Sequence, residues 1–219
     1  MFLICVSYFH NSYSQNMAEK KYSFLALGDS YTIGEGVAAK DNFPSQTVQV
    51  VRKNKSMLGE ATIIAKTGWT TDELMDAINK AGLNKKYDFV SLLIGVNNQY
   101  RGRSIEEYAI EFEELLKKAI TFASNNASHV FVLSIPDWGV TPFAEGRDRQ
   151  KIADEIDAFN AVNRAIADRY KVHYIDITPG TREAAKDLSL LTDDKLHPSA
   201  KDYQHWAVKL ASGILQQLN

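Results

Sequence analysis

The chain has 219 residues, 45% hydrophobic and 24% charged, enough for one domain with a full core; this excludes an extended disordered chain. A formal net charge of −2 and a pI near 6.2 exclude an electrostatic nucleic-acid surface. The single cysteine, Cys5, excludes an internal disulfide and a cysteine-based metal site.

Residues 1–16 differ from all that follows. Phe2 to Phe9 is almost wholly apolar, and Ser12-Tyr-Ser14 places small residues before Gln15. That is the outline of a secretory signal without its basic leading segment. The stretch is too short to span a membrane. The expectation is a periplasmic or secreted protein whose mature chain begins near Gln15. The alternative is a start at Met17 and a cytoplasmic protein. Either way, residues 17–219 form a single domain.

Tyr22–Leu27 is a short apolar run that stops at Gly28, which reads as a buried strand because it is too short for a helix. Ser30 then sits at the carboxyl end of a first strand, where open α/β sheets bind their ligands. A phosphate-binding loop would need a Gly-Lys-Ser/Thr ending, and no lysine follows before Lys40. Gly34-Glu-Gly36-Val-Ala-Ala39 matches a dinucleotide fingerprint but starts too far past the strand, and no acidic residue ends a second strand. A plain turn or a serine nucleophile is left.

A helix is expected from Phe43 to Asn54, with Pro44 in its first turn. Ala61–Ala65 is the second strand. Thr70 and Glu73 form a capping box that opens a helix running to Ala81. Tyr87–Ile94, apolar as a strand covered on both faces should be, is the third, and Gly95-Val-Asn-Asn98 ends it. Arg101-Gly-Arg103 reads as a solvated loop. Ser104 and Glu107 cap a long helix with Tyr108, Phe112, Leu115, Leu116 and Ala119 on one face. His129–Leu133 is strand four. The stretch from Ile135 to Asp148 shows no periodicity and is long for a mere connector. Ile152, Ile156, Phe159, Val162 and Ile166 mark the next helix. Val172–Ile177 is strand five, a short helix follows near Arg182–Lys186, and Ala200–Leu218 closes the chain as a helix. Strands alternating with helices predict a three-layer α/β/α sandwich around a five-stranded parallel sheet resembling flavodoxin.

In such a sheet the carboxyl ends lie along one edge. That edge would receive Ser30, Gly68, Gly95, Asn97 and the pair Asp194 and His197. Pro198 biases His197 away from helical geometry. Asp194, three residues earlier, can reach Nδ1 of the imidazole, fix its tautomer and leave Nε2 free to accept a proton. Each signal also has a plain structural reading: a turn glycine at 68, a loop cap at Asn97, a structural pair at Asp194 and His197. His10, His129, His173 and His205 show no acidic partner of this kind and are expected to be structural.

Taken together, Gly28-Asp29-Ser30, Gly68, Gly95-Val-Asn97 and Asp194-Lys-Leu-His197 resemble the GDSL, or SGNH, serine hydrolases, in the family's order from Tyr22 to the C terminus. Tyr31 stands where the family's name has leucine, and Asn98 where its third motif usually has aspartate. Thr32, in place of a glycine two residues after the serine, argues against the G-x-S-x-G elbow of α/β-hydrolases. The resemblance implies the SGNH hydrolase fold and ester hydrolysis through an acyl-enzyme. Ser30 would be the nucleophile, His197 the general base and Asp194 its orienting partner. The N–H groups of Ser30 and Gly68 and the Asn97 amide would hold the oxyanion, with no metal or organic cofactor. Trp138 and Phe143 either wall an acyl pocket or pin their loop to the core. The expected substrate is a small-molecule ester with a small or medium acyl group, of lipid or lysophospholipid type. A carbohydrate O-acetyl ester comes next. The rivals are an acyltransferase and a non-catalytic carbohydrate- or lipid-binding module on the same scaffold.

Overall fold

The computed structural model describes residues 21–54 and 57–218. The segment read as a secretory signal and the alternative start at Met17 lie outside the described residues. Strand β1 (Tyr22–Asp29) leads directly into a one-turn helix α1 (Ser30–Ile33), then α2 (Phe43–Lys53), β2 (Leu58–Lys66), α3 (Thr71–Ala81) and β3 (Phe89–Leu93). The chain continues through α4 (Val96–Tyr100), α5 (Ile105–Phe122), β4 (Val130–Leu133), α6 (Arg149–Arg169), β5 (His173–Ile175), α7 (Thr178–Thr181) and α8 (Ala200–Gln216). All five strands are parallel, in the order β2-β1-β3-β4-β5. The five-stranded parallel sheet is the one expected from the sequence, and its order is the flavodoxin-like one.

The order matters for function. From β1 the chain steps one way to β2, then crosses back to β3 and continues outward. Loops after β1 and β3 therefore diverge, and a crevice opens between them at the carboxyl edge. Ser30 follows β1 and Asn97 follows β3, so the topology puts them on either side of that crevice.

Every residue from Phe24 to Leu27 is buried, although alternate side chains point to opposite faces. Helices cover both: α2 packs with α8, and α5 packs with α3 and α6. Gly28 pairs with Ala65 on one side and Leu93 on the other. A Cβ there would collide with Thr32 Oγ1 and the Leu93 carbonyl oxygen, so only glycine lets the turn into α1 close so tightly over β3.

The Thr70–Glu73 capping box forms as read, with the Thr70 N–H donating to Glu73 Oε2 at 2.9 Å. Ser104 caps α5 by accepting from the Glu107 N–H at 3.1 Å. Three local features differ from the sequence reading. Helix α4 was not expected; five residues are too few for a 3.6-residue period to show. The stretch after Ile135 contains two 3₁₀ turns, Trp138–Val140 and Pro142–Ala144. The turn after β5 begins earlier than expected, with α7 preceding a 3₁₀ segment at Arg182–Ala185.

One histidine requires correction. His205 does have an acidic partner, since its Nδ1 lies 3.3 Å from Asp202 Oδ1. Both sit on α8, where residues three apart share a face. Asp202 is buried, whereas the His205 side chain is 60% exposed at the helix surface.

Candidate active site

Ser30 is the first residue of α1, and the residue before it caps that helix: Asp29 Oδ1 accepts from the Tyr31 N–H at 3.0 Å. This places the Ser30 hydroxyl at the mouth of the crevice, only 4% exposed. Its Oγ lies 3.0 Å from His197 Nε2. On the other side of the ring, His197 Nδ1 lies 2.6 Å from Asp194 Oδ2. The buried ring of Tyr31 packs 5.1 Å from the imidazole, centroid to centroid, and limits its rotation.

The loop that carries the pair is closed upon itself. Thr192 N–H donates to the His197 carbonyl at 2.8 Å, and Leu191 bridges to Pro198. Asp194 Oδ1 accepts from the N–H groups of Leu196 (2.8 Å) and His197 (2.9 Å) and from the Thr192 hydroxyl (2.7 Å). One carboxylate oxygen thus organises the loop while the other holds the imidazole. Burial pushes the Asp194 carboxyl up, but His197, Thr192 and the two amides outweigh it and hold the group down at about 2.

Gly68 follows β2 with φ +84°, a conformation that only glycine adopts freely. Asn97, on α4, lines the same cleft as Ser30, Gly68 and His197. Its Nδ2 donates to the Trp69 carbonyl at 3.0 Å and to Asp29 Oδ2 at 3.3 Å. Burial pushes the Asp29 carboxyl up to about 7, against the pull of the Tyr31 and Asp29 amides and of Asn97. Asn98 turns the other way. Its Oδ1 accepts from the Thr71 N–H at 3.1 Å and its Nδ2 donates to Thr71 Oγ1 at 2.6 Å, so neutral hydrogen bonds fill the place of the family's aspartate.

Beside Ser30 the cleft encloses about 160 Å³, with an apolar wall of Val96, Tyr100, Trp138, Phe143 and Leu196. Trp138 lines the cleft and is also pinned, its Nε1–H donating to Gln99 Oε1 at 2.7 Å. Gln99 is fixed in turn by Glu155, at 2.7 Å. Phe143 lines the cleft but is 41% exposed, and Tyr100 is 42% exposed. Sequence reasoning missed Val96, Tyr100 and Leu196. The signal was available for Leu196, inside the Asp-Lys-Leu-His segment, and for Tyr100, one turn beyond Asn97. Among the described residues no group of three His, Cys, Asp or Glu could hold a metal ion, and no helix is long and apolar enough to cross a membrane.

A parallel α/β/α sandwich with serine, histidine and aspartate chained by hydrogen bonds at its carboxyl edge defines a hydrolase class. The sequence matches the GDSL-like lipase/acylhydrolase family over residues 26–205, and the chain belongs to that family of ester hydrolases. No curated protein matches it by sequence. Among solved structures it is similar to the psychrotrophic esterase EstA from Pseudoalteromonas sp., inhibited by monoethylphosphonate (TM-score 0.68, 16% identity, 91% of this chain and 100% of that one). The acetylxylan esterase Axe2 from Geobacillus stearothermophilus is similar at TM-score 0.67 and 18% identity, over 90% of this chain and 94% of that one. A lipase/acylhydrolase from Enterococcus faecalis matches at TM-score 0.67 and 20% identity, over 90% and 96%. At these identities the likeness is one of fold.

Proposed function

We propose that the protein hydrolyses esters of short acyl chains through an acyl-enzyme on Ser30. The carrying observation is the chain from Ser30 Oγ to His197 Nε2 (3.0 Å) and from His197 Nδ1 to Asp194 Oδ2 (2.6 Å). Ser30 Oγ attacks the ester carbonyl carbon and its proton passes to His197 Nε2. Asp194 stabilises the imidazolium and keeps its tautomer. The carbonyl oxygen becomes an oxyanion facing the Ser30 and Gly68 N–H groups and the Asn97 amide. Collapse expels the alcohol, which takes the proton from His197, and the acyl group stays on Ser30. Water then gives a proton to His197 as its oxygen adds to the acyl carbon. The second collapse releases the carboxylic acid and returns the proton to Ser30. In the free enzyme Asn97 Nδ2 donates to Trp69 and Asp29, and the longer contact, 3.3 Å to Asp29, is the one the oxyanion replaces.

A short acyl group is supported by the size of the cleft. Its 160 Å³ is close to the ~150 Å³ of an apolar cavity that takes up benzene. The wall therefore suits an acyl group of roughly six non-hydrogen atoms, and longer chains must leave the cleft. A second reading, a sugar O-acetyl ester, is favoured by the half-exposed Tyr100 and Phe143, whose rings offer a stacking edge to a sugar. The acetylxylan esterase among the structural relatives is in keeping with it.

A panel of p-nitrophenyl esters from acetate to laurate, run beside acetylated xylan, tests both. Highest kcat/KM at butyrate or hexanoate is expected. Highest activity on laurate would overturn the short-chain reading, and activity confined to acetylated xylan would favour the second. A fluorophosphonate should label Ser30; labelling elsewhere would remove the mechanism.

A further inference from the structure

Arg101 sits at the carboxyl end of α4, in the segment read from sequence as a solvated loop. It is exposed, as that reading has it, and is also tied to the opposite side of the cleft. Its Nη2 donates to the Gly68 carbonyl at 2.5 Å, and its Nη1 lies 3.3 Å from Glu73 Oε1. Glu73 is itself fixed as the second half of the α3 capping box. Four residues earlier, Asn97 Nδ2 donates to the carbonyl of Trp69 at 3.0 Å. Residues i and i+4 share a helix face. Two side chains of one helical turn thus hold two consecutive carbonyls of the turn between β2 and α3. The Arg101 N–H also closes α4 on the Asn97 carbonyl, at 3.0 Å.

That turn needs holding. Within its own backbone it has the Trp69 N–H to Lys66 carbonyl bond, at 3.3 Å, and the Thr67 hydroxyl is bonded to Glu35. The N–H and C=O of Gly68 belong to two rigid peptide planes that meet at its Cα. Glycine gives the least resistance to rotation there. Fixing the carbonyl plane on Arg101 anchors one of the two planes and leaves the Gly68 N–H plane only the rotation about N–Cα, which narrows the range of positions the N–H can take at the cleft. The contact is charge-assisted, and the guanidinium fork reaches the carbonyl and Glu73 together, which a lysine ammonium would not do in the same way.

We propose that Arg101 is a positioning residue for ester hydrolysis, clamping the Gly68 carbonyl so that the Gly68 N–H and the Asn97 amide keep one fixed separation and receive the oxyanion together. The inference rests on the acyl-enzyme reading above and names a residue outside it. Arg101 touches no reacting atom; it acts through the peptide of Gly68.

The test compares wild type, Arg101→Ala and Arg101→Lys on p-nitrophenyl butyrate, with fluorophosphonate labelling and thermal unfolding run on each. Arg101→Ala should lower kcat on the order of tenfold, less than the ~10²–10³ lost with a whole oxyanion donor. KM should stay within about twofold, because the clamp acts on the transition state. Arg101→Lys should fall between, and millimolar guanidinium should raise the turnover of Arg101→Ala but not of wild type. A merely structural arginine would not show that rescue. Wild-type kcat in both variants, or a loss carried by KM, would overturn the clamp while leaving the Ser30 mechanism standing. If Arg101→Ala fails to fold, Arg101→Lys decides: an intermediate kcat at unchanged KM supports the clamp, and a wild-type kcat rejects it. A wild type that neither turns over the ester nor labels at Ser30 would bring down the mechanism and the clamp together.

Discussion

Asp29 Oδ2 and Asn97 Nδ2 meet at 3.3 Å across the crevice between β1 and β3, so the residue before the serine touches the amide proposed to receive the oxyanion. Asp29 is fully buried, and its other oxygen caps α1 through the Tyr31 N–H. Two forces oppose each other at this carboxyl. Burial favours the neutral acid, while the hydrogen bonds from the Tyr31 and Asp29 amides and from Asn97 favour the carboxylate, and burial prevails.

A pH-dependent stability follows. In the fold the Asp29 carboxyl is raised from 3.8 to about 7, so between those values the folded protein holds a proton that the unfolded chain has released. Its contribution is fully present below about 4 and is lost as pH rises through about 7. The slope from this group is at most about 1.4 kcal/mol per pH unit. Asp29→Asn cannot titrate. Urea unfolding at pH 5, 6, 7 and 8 should show the stability of wild type falling relative to Asp29→Asn as pH rises. A constant difference would show that the Asp29 proton is not involved.

Asp194→Asn should lower kcat by roughly 10³–10⁴. The remaining oxygen can still accept from Thr192, Leu196 and His197, so the loop should keep its shape. The new amide would face Nδ1 as a donor, moving the ring proton to Nε2, where it can no longer be received from Ser30. The wild-type carboxyl, held at about 2, stays charged at any ordinary assay pH. Its stabilising contribution is present above about 4 and lost only as pH falls through about 2, so loss of activity above that range does not come from Asp194. Steady-state kinetics with unfolding curves test this; a variant that keeps more than a tenth of wild-type kcat contradicts it.

Phe143 offers a test of acyl length. It is half-exposed at the cleft wall, with its ring 6.0 Å from Trp138 and 6.3 Å from Tyr100. Phe143→Ala should open that wall and shift preference towards octanoate, with a smaller loss of stability than a buried aromatic because the ring is already 41% exposed. Trp138→Ala should behave differently, costing about 3–5 kcal/mol as a buried aromatic. The chain-length profile and melting temperature separate the two. An unchanged profile in Phe143→Ala would remove the residue from the acyl pocket.

The parts of this site that were legible in the sequence are those whose signal is local. The run Phe24–Leu27 ending at Gly28, the Thr70–Glu73 box and the Asp194–His197 spacing each express their geometry within a few residues. The Arg101 contact to Gly68 spans 33 positions and the Trp138 contact to Gln99 spans 39, and neither leaves a periodic trace. Helix α4 is one turn long, so its Asn97–Arg101 face was invisible. The Asp202–His205 pair was missed for the opposite reason: it is local, but lies in a helix whose residues were read only for their apolar stripe.

Asn97 and Asn98 are adjacent, and the structure divides them cleanly enough for a paired test. Asn97 faces the cleft, donating to Trp69 and Asp29, whereas Asn98 is fully buried and bonded to the backbone and hydroxyl of Thr71. Thr71 Oγ1 donates onward to Glu111, so Asn98 belongs to a link between α3 and α5. Asn97→Ala should lower kcat by about 10²–10³ with a much smaller change in KM, since its donor acts on the developing charge. Part of that loss would come from freeing the Trp69 carbonyl, and the unfolding curve should show only a small cost. Asn98→Ala should do the reverse: about 1–3 kcal/mol of stability lost with the Thr71 partners left unsatisfied, and kcat close to wild type below the melting temperature. Measuring kcat, KM and melting temperature on both variants decides the matter. If Asn97→Ala changes only KM, or if Asn98→Ala carries the larger kcat loss, then the oxyanion is held by some other group, and the contact of Asn97 with Trp69 is structural.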